Sequence, residues 1–456
     1  MQPNQQTIPI AEAILIAMDH QAAGRLHEAE NICRQVLQVD PNHPDALHLL
    51  GLIANALGNH GDSVELLDRA IRQQPSNPFL LGNRGNALQA LKRFEDALKS
   101  YDQALAIKPD FLDALNNRGV ALVELERYEE ALSSYERALA INPQSSATLV
   151  NIALAHFNMG TISLADESMA RVFALEPDRQ DYRDLWQKVL KRPHLGFGGL
   201  QGAHAPERQV FMSSTVDLLK SATHHLAILE VGSYLGASLI TWAAAVGRLH
   251  GGTAKVTCVD PWGLVDTAPQ YDSRMANVLA SNRAYQIFEH NASLVRGRIE
   301  VEPIRDLSEN ALKRMPDSSF DIVYIDGCHY YREALIDITE GKRLVKDGGI
   351  LCGDDLELQG VQCDLKNARQ NARADFIRDP KSGVSFHPGV TLAVHESLGK
   401  VSAFSGFWAM RKAFGKFEKV SFTKARGIIP SHWPEDAAKR IRAYFRTSTE
   451  LGELLQ

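Results

Sequence analysis

The chain has 456 residues, 45% of them hydrophobic, with a formal net charge of −6 and a pI near 6.3. That length and apolar content suffice for two or three domains with their own cores and exclude disorder on a large scale. The mild acidity excludes a general attraction to nucleic acid or an anionic membrane, although residues 411 to 456 locally hold ten Lys and Arg against five Asp and Glu.

The first residues, MQPNQQTIPIAEAILIAMDHQ, carry no basic segment before a short apolar run, and no later stretch approaches about 18 uninterrupted apolar residues, so neither export nor a membrane span is expected. From there, Pro41, Pro75, Pro109, Pro143 and Pro177 follow one another at intervals of 34 residues. Gly51, Gly85 and Gly119 recur in phase with them, as do Ala29, Ala97, Ala131 and Ala165, and Ala70, Ala104 and Ala138. This period predicts five helix pairs over residues 10 to 177, with small residues where helices touch, proline ending the second helix, and turns at Gly24, Gly58, Lys92, Glu126 and Gly160. Residues 178 to 208 read as a capping helix and then a glycine-rich linker, HLGFGGLQGAHAPE.

From Gln209 to about residue 413, helix-like and strand-like runs alternate. The expected fold class is therefore an N-terminal α-solenoid followed by a Rossmann-like, doubly wound α/β domain. Its strands are AILEVG, KVTCVD, IEVEPI, FDIVYID and GGILCGDD, with FHPGVTLAVHE and GFWAMRK as the last two; YDSRMANVLASNRAYQIFEHNASLV is expected to add helix near a pocket. Residues 414 to 456 form a basic tail whose Ile441, Tyr444, Phe445, Leu451 and Leu454 are spaced as an amphipathic helix starting at Pro434. The five cysteines, Cys33, Cys258, Cys328, Cys352 and Cys363, include no close CxxC pair. They fit a reducing compartment and argue against structural zinc, which makes a cytoplasmic location the expectation.

Chemistry-bearing residues gather at the strand ends. Gly232, Ser233 and Gly236 occupy a strand-to-helix turn where missing side chains let backbone approach a ligand. The spacing is not that of GxGxxG and there is no GK[ST], which disfavours a nucleotide-phosphate ligand. Asp260, ending the second strand, is placed to accept from the two hydroxyls of a ribose; its alternative is an acid capping a helix or loop. Asp326, Asp354 and Asp355 end two strands expected to be neighbours, and three converging carboxylates call for a counterion such as Mg²⁺. His329, three residues past Asp326, is suited to take a proton from a hydroxyl, against the alternative of a capping or surface histidine. Cys328 reads as a buried thiol, and His387 and His395 as ordinary structural histidines.

With these residues assembled, residues 209 to about 413 resemble the class I S-adenosylmethionine-dependent methyltransferases, in particular the small-molecule O-methyltransferase group with the pattern IDGxHxY followed by GGxxxxDD. The resemblance implies S-adenosyl-L-methionine as cofactor, with Glu230 toward its cationic methionine portion, Gly232, Ser233, Gly236 and Asp260 in the cofactor motifs, and Arg305, Asp306 and Ser308 near the adenine. It implies Mg²⁺ or a similar cation on Asp326, Asp354 and Asp355, and His329 as the base. The sequence departs from the family in having Asp-Asp where Glu-Asp or Asp-Asn is common, and in a long segment after Trp262. Residues 10 to 177 resemble tetratricopeptide repeats, a match that names a fold and no partner.

The expected activity is methylation of a hydroxyl on a small molecule, sugar or glycoconjugate, with the repeats recruiting a carrier, a partner protein or a second copy. The alternative is an interaction protein whose methyltransferase-like domain does not turn over. Protein or nucleic-acid methylation has less support, since there is no NPPY-type motif and no broad basic face.

Overall fold

The computed structural model describes residues 8–194, 207–263, 278–279, 282–433, 435–447 and 454–455. Most of the expected linker, much of the segment after Trp262, Pro434 and Leu451 lie outside these. The chain divides into two compact units: Met1–Met159 with Ser163–Trp186, and Gly160–Ile162 with Gln187–Gln456.

In the first unit the helices are α1 (Ile10–Ala22), α2 (Leu26–Val39), α3 (Pro44–Ala56), α4 (His60–Gln73), α5 (Pro78–Ala90), α6 (Phe94–Ile107), α7 (Leu112–Glu124), α8 (Tyr128–Ile141), α9 (Ser146–Met159) and α10 (Ile162–Leu175). They form the five expected pairs, and α11 (Gln180–Leu190) follows. The spaced prolines stand just beyond α2, α4, α6, α8 and α10. Each pair turns at a residue in the left-handed region: Gly24, Gly58 and Gly160, where glycine adopts it freely, and Lys92 and Glu126, at φ 59° in both.

The repeated small residues have a steric cause. A Cβ on Gly85 would come within 2.5 Å of the Tyr101 ring, and one on Gly119 within 2.3 Å of the Tyr135 ring. Both tyrosines are fully buried between paired helices. A polar contact repeats with the same period: Arg84 reaches Asp68 at 2.6 Å and Ser100 at 2.7 Å, and Arg118 reaches Asp102 at 2.7 Å and Ser134 at 2.6 Å.

The second unit runs α12 (Arg208–Leu219), β1 (His225–Val231), α13 (Ala237–Ala245) with a π turn Val246–His250, β2 (Thr253–Val259), α14 (Arg283–Ser293), β3 (Glu300–Ile304), α15 (Ser308–Ala311), β4 (Phe320–Ile325), α16 (Tyr331–Leu344) and β5 (Val345–Leu356). It continues through α17 (Leu365–Gln370), β6 (Ile377–Arg378), β7 (Ser385–Phe386), α18 (Pro388–Leu398), β8 (Ser402–Phe404), β9 (Gly406–Ala413), β10 (Lys416–Lys419) and α19 (Glu435–Thr447). The main sheet has the order β10-β9-β5-β4-β1-β2-β3, with β8 also on β9. Strands β1 to β5 are parallel, and β9 runs antiparallel to β5. Side chains alternate between two cores. Ile228, Val256, Ile322 and Ile350 share one with α12 and α13, while Leu229, Val259, Val323 and Leu351 share the other with α16 and α18.

One expected strand is corrected. FHPGVTLAVHE is not in the main sheet: Ser385 and Phe386 pair with Ile377 and Arg378 in a separate two-stranded sheet, and Pro388–Leu398 is a helix. Pro388 sits in its first turn, and every residue from Pro388 to Val394 is buried. An apolar run packed on all sides has no polar face to mark its period, so it reads equally as strand or helix. GFWAMRK does form the edge-ward strand β9. In the tail, Ile441 and Phe445 are buried as expected. Among the described residues no helix is long and apolar enough to cross a membrane.

Overpacking the repeat seam gives a direct test. Gly119→Ala places a methyl group against Tyr135 and is expected to destabilise the full chain by about 1–3 kcal/mol. Urea unfolding followed by circular dichroism measures this, and an unchanged midpoint would contradict the seam described.

Candidate functional site

The parallel register builds the site. Val231 pairs with Val259 on one side and with Ile325 on the other, and Ile325 pairs with Gly353. Gly232, Asp260, Asp326 and Asp354 therefore stand one residue beyond a single aligned row, at the carboxyl ends of four adjacent strands. Strand order reverses between β1 and β4, the place where open α/β sheets leave a ligand crevice. The row is stitched by backbone: Gly232 N to Val259 O at 2.9 Å, Asp260 N to Ile304 O at 3.2 Å and Asp326 N to Val231 O at 2.9 Å.

On the β1 side, Gly232 has φ 86°, and a Cβ there would lie 2.0 Å from the Asp326 carbonyl oxygen. The glycine is thus required by the β4 chain as well as by any ligand. Gly236 caps α13 at φ 73°. Ser233 Oγ is buried with no hydrogen-bond partner among the described residues. Asp260 accepts from the backbone N–H of Tyr234 at 2.9 Å and of Trp262 at 2.7 Å, one on each oxygen. It holds two residues in left-handed backbone, Tyr234 at φ 40° and Trp262 at φ 43°. Strained backbone of this kind persists where surrounding structure over-determines it. Burial pushes the Asp260 carboxyl above its ordinary range despite those two bonds.

Glu230 lies beneath α13, accepting from the Ser238 hydroxyl and from Trp242 Nε1, the latter at 2.8 Å. Burial drives its carboxyl up to about 7, with the Ser238 and Trp242 bonds opposing. Asp306 is occupied locally, accepting from Leu307 N at 2.8 Å and Arg314 at 2.6 Å. Ser308 acts on Asp337, a buried carboxyl pushed up to about 7 chiefly by desolvation. Arg305 reaches the carbonyls of Pro261 and Trp262 at 3.4 Å each and lies 5.1 Å from the Tyr285 ring centre. These last residues edge the β2 and β3 ends rather than the row itself.

On the β4 and β5 side the acids do converge, but a guanidinium stands among them. Arg208 at the start of α12 places Nη1 2.7 Å from Asp354 and 2.8 Å from Asp355, and Nη2 2.9 Å from Glu357. Its Nε donates to Ser405 O at 2.6 Å. His329 spans Asp355 on Nε2 at 2.9 Å and Asp375 on Nδ1 at 2.6 Å. His387, only 3% exposed, sits with its ring 4.3 Å from that of His329 and its Nδ1 3.0 Å from Glu357. His387, read from the sequence as an ordinary structural histidine, thus lies in the same side-chain cluster as His329. Arg208, Glu357 and Asp375 were not singled out in the sequence; Arg208 and Asp375 come from segments distant from the strand ends, and Glu357 follows the acid pair by two residues.

Burial works against charge throughout this cluster, and neighbours decide each outcome. Asp326 is raised well above the carboxylate range by burial and then by Asp354 and Asp355. Asp354 is raised by burial despite Arg208. Burial opposes ionisation of Asp355 most strongly, yet its bond to His329 and the charges of His329, His387 and Arg208 together hold it low. His329 is raised well above an ordinary histidine because Asp355 and Asp375 together outweigh burial.

The Arg208 guanidinium already supplies a counterion where a cation bound by Asp354 and Asp355 would sit, so the three-acid set fits Mg²⁺ only if that side chain shifts. His329, Asp355 and His387 offer three donor atoms all within 4.8 Å of one another. The crevice on the β1 side suits S-adenosylmethionine better: it holds a side-chain-free turn at Gly232 and two buried carboxyls, Glu230 and Asp260.

A methyltransferase-domain family model matches residues 229–356, and tetratricopeptide-repeat models match residues 14–78, 83–146 and 122–189. The chain is a methyltransferase-domain protein with N-terminal tetratricopeptide repeats. Similar solved structures include MamA (21% identity over 37% of this chain and 98% of that one, TM-score 0.34). Others are TTC0263, a thermophilic TPR protein in Thermus thermophilus (21%, 40% and 99%, TM-score 0.35), and YrrB, a TPR protein with an unusual peptide-binding site (18%, 38% and 90%, TM-score 0.34). No curated protein matches the chain.

Two substitutions test the electrostatics. Arg208→Met strands three buried carboxylates and is expected to cost about 3–5 kcal/mol in urea unfolding at neutral pH; a loss below about 1 kcal/mol would mean the acids are not held by this residue. For Glu230, the folded value of about 7 lies above the ordinary 4.5. The stability it contributes is therefore full below pH 4.5 and is lost as pH rises through 7. Glu230→Gln should flatten the stability curve between about pH 5 and 8 by on the order of 3 kcal/mol, and a parallel curve would refute the assignment.

Proposed function

We propose that this protein transfers a methyl group from S-adenosylmethionine to a hydroxyl of a small molecule, sugar or glycoconjugate. The observation that carries this reading is the aligned row: a glycine turn and Asp260 on one side of the switch point, and Asp326, Asp354 and the His329 cluster on the other. Bound S-adenosylmethionine supplies a sulfonium-activated methyl group. Gly232, Ser233 and Gly236 would receive its methionine portion above Glu230, and Asp260 would offer its remaining lone pairs to the ribose. Asp306 and Ser308 would border the adenine.

His329 is the proposed base, with Asp375 orienting it through Nδ1 as carboxylates orient catalytic histidines. Nε2 faces Asp355, so an acceptor hydroxyl must take that place before the proton can move. The acidic neighbours keep the ring charged at neutral pH, and methyl transfer should therefore accelerate toward alkaline pH.

A second reading adds a divalent cation on Asp326, Asp354 and Asp355. It is favoured by the crowding that raises Asp326 and Asp354 well above their ordinary range, which a further positive charge would relieve. The repeats would recruit a protein partner, a carrier of the acceptor or a second copy. The five cysteines, none in a disulfide, fit a cytoplasmic setting.

Titrating S-adenosylhomocysteine into the protein, with Mg²⁺ and again with chelator, tests the reading. Micromolar binding lost in Asp260→Ala is expected, and His329→Ala should retain binding while lowering turnover by about 10²- to 10⁴-fold. Absence of binding under both conditions would favour an interaction protein with a non-catalytic domain, and binding with chelator present would remove the cation from the cofactor step.

A further inference from the structure

The methyl-transfer site makes no use of the basic tail. Arg442 and Arg446 lie one turn apart on α19 and, with Arg248 and Arg426, line a cavity of about 630 Å³. Arg248 belongs to the π turn Val246–His250, which leads into Thr253 at the amino end of β2. The cavity thus opens at the side of the sheet away from the strand carboxyl ends, and it is a separate site.

Its charges do not balance. Arg426 is held by Asp217, with Nη2 at 3.0 Å, Nε at 3.2 Å and its backbone N at 2.9 Å from that carboxylate. Arg442 pairs with Glu435 at 3.0 Å. Arg248 and Arg446 are exposed and have no carboxylate partner among the described residues. Among the described residues four guanidiniums meet two carboxylates, which leaves Arg248 and Arg446 without a carboxylate partner there. Like charges gathered this way repel, and nothing in the packing requires them: the wall is already fixed by Ile428 N on Ser213 Oγ at 3.0 Å and Gly427 N on Leu454 O at 2.6 Å.

The cavity also has an apolar side, where Ile429 and Leu455 are partly exposed and rest on the buried Leu249, Ile428 and Phe445. Guanidinium forks match the oxygens of a phosphate better than any other common anion, and the volume falls in the range of small-molecule sites. We propose that this cavity binds a phosphorylated small molecule, its phosphate or diphosphate on Arg248 and Arg446 beside the pre-set Arg426, and its organic portion on Ile429 and Leu455.

The test is calorimetric titration of the full chain with pyrophosphate and with geranyl diphosphate, at about 50 mM salt to limit screening. Saturable binding with Kd below about 1 mM is expected for the ester, weakened at least about tenfold in the double variant Arg248→Ser, Arg446→Ser. Both side chains are exposed and unpaired, so the variant should keep its melting temperature and its S-adenosylhomocysteine titration, whatever that titration shows for the wild type. No saturable binding of either probe, equal binding by the double variant, or binding only to phosphatidylglycerol vesicles would each overturn the proposal.

Discussion

The guanidinium of Arg208 is the contact on which the candidate site depends. Three carboxylates, Asp354, Asp355 and Glu357, end one strand in a space that excludes most water, and such acids repel one another unless a cation lies among them. Arginine can serve all three because its planar fork carries five donors. It reaches them across Gly406, where a Cβ would lie 2.2 Å from Nη2. Further order propagates from this point. Asp355, in left-handed backbone at φ 63°, grips His329; Asp375 grips the other side of the same ring; Glu357 grips His387. The histidine at the centre is positioned by Asp355 of β5, Asp375 in the loop before β6 and His387 just ahead of α18.

The other half of the crevice is built differently, from backbone. Gly232 lacks a side chain because the Asp326 carbonyl occupies the place where one would be. Asp260 spends a lone pair of each oxygen on the N–H groups of Tyr234 and Trp262, fixing the crevice wall in a strained shape before any ligand arrives. Such preorganisation places the ordering cost in folding rather than in binding. The β1 and β2 side is thus built from mostly local backbone contacts, whereas the β4 and β5 side is a charge network whose balance a ligand would alter.

The repeats follow a third logic. Their seams are contacts between neighbouring helices, Gly85 on Tyr101 and Gly119 on Tyr135, and each ion pair joins the first helix of one pair to the second helix of the pair before it. Stability there is a sum of near-neighbour terms, so the same residues must recur at the same interval.

For that reason the repeat unit was legible in the chain: nearest-neighbour packing writes its period into the sequence, down to the turns at Gly24, Gly58, Lys92, Glu126 and Gly160. The parallel strands were legible too, because strands buried on both faces are continuous apolar runs, and the polar residue ending each run marks the row where Gly232, Asp260, Asp326 and Asp354 stand. Tertiary structure alone decided the rest. It turned FHPGVTLAVHE into a helix by surrounding it, and it sent Glu230 under α13 onto Ser238 and Trp242. It also brought Arg208 to Asp355 across 147 residues, Asp375 to His329 across 46 and His387 to Glu357 across 30. Contacts at such separations are made once and leave no period, so only the folded chain reveals which acid holds which histidine.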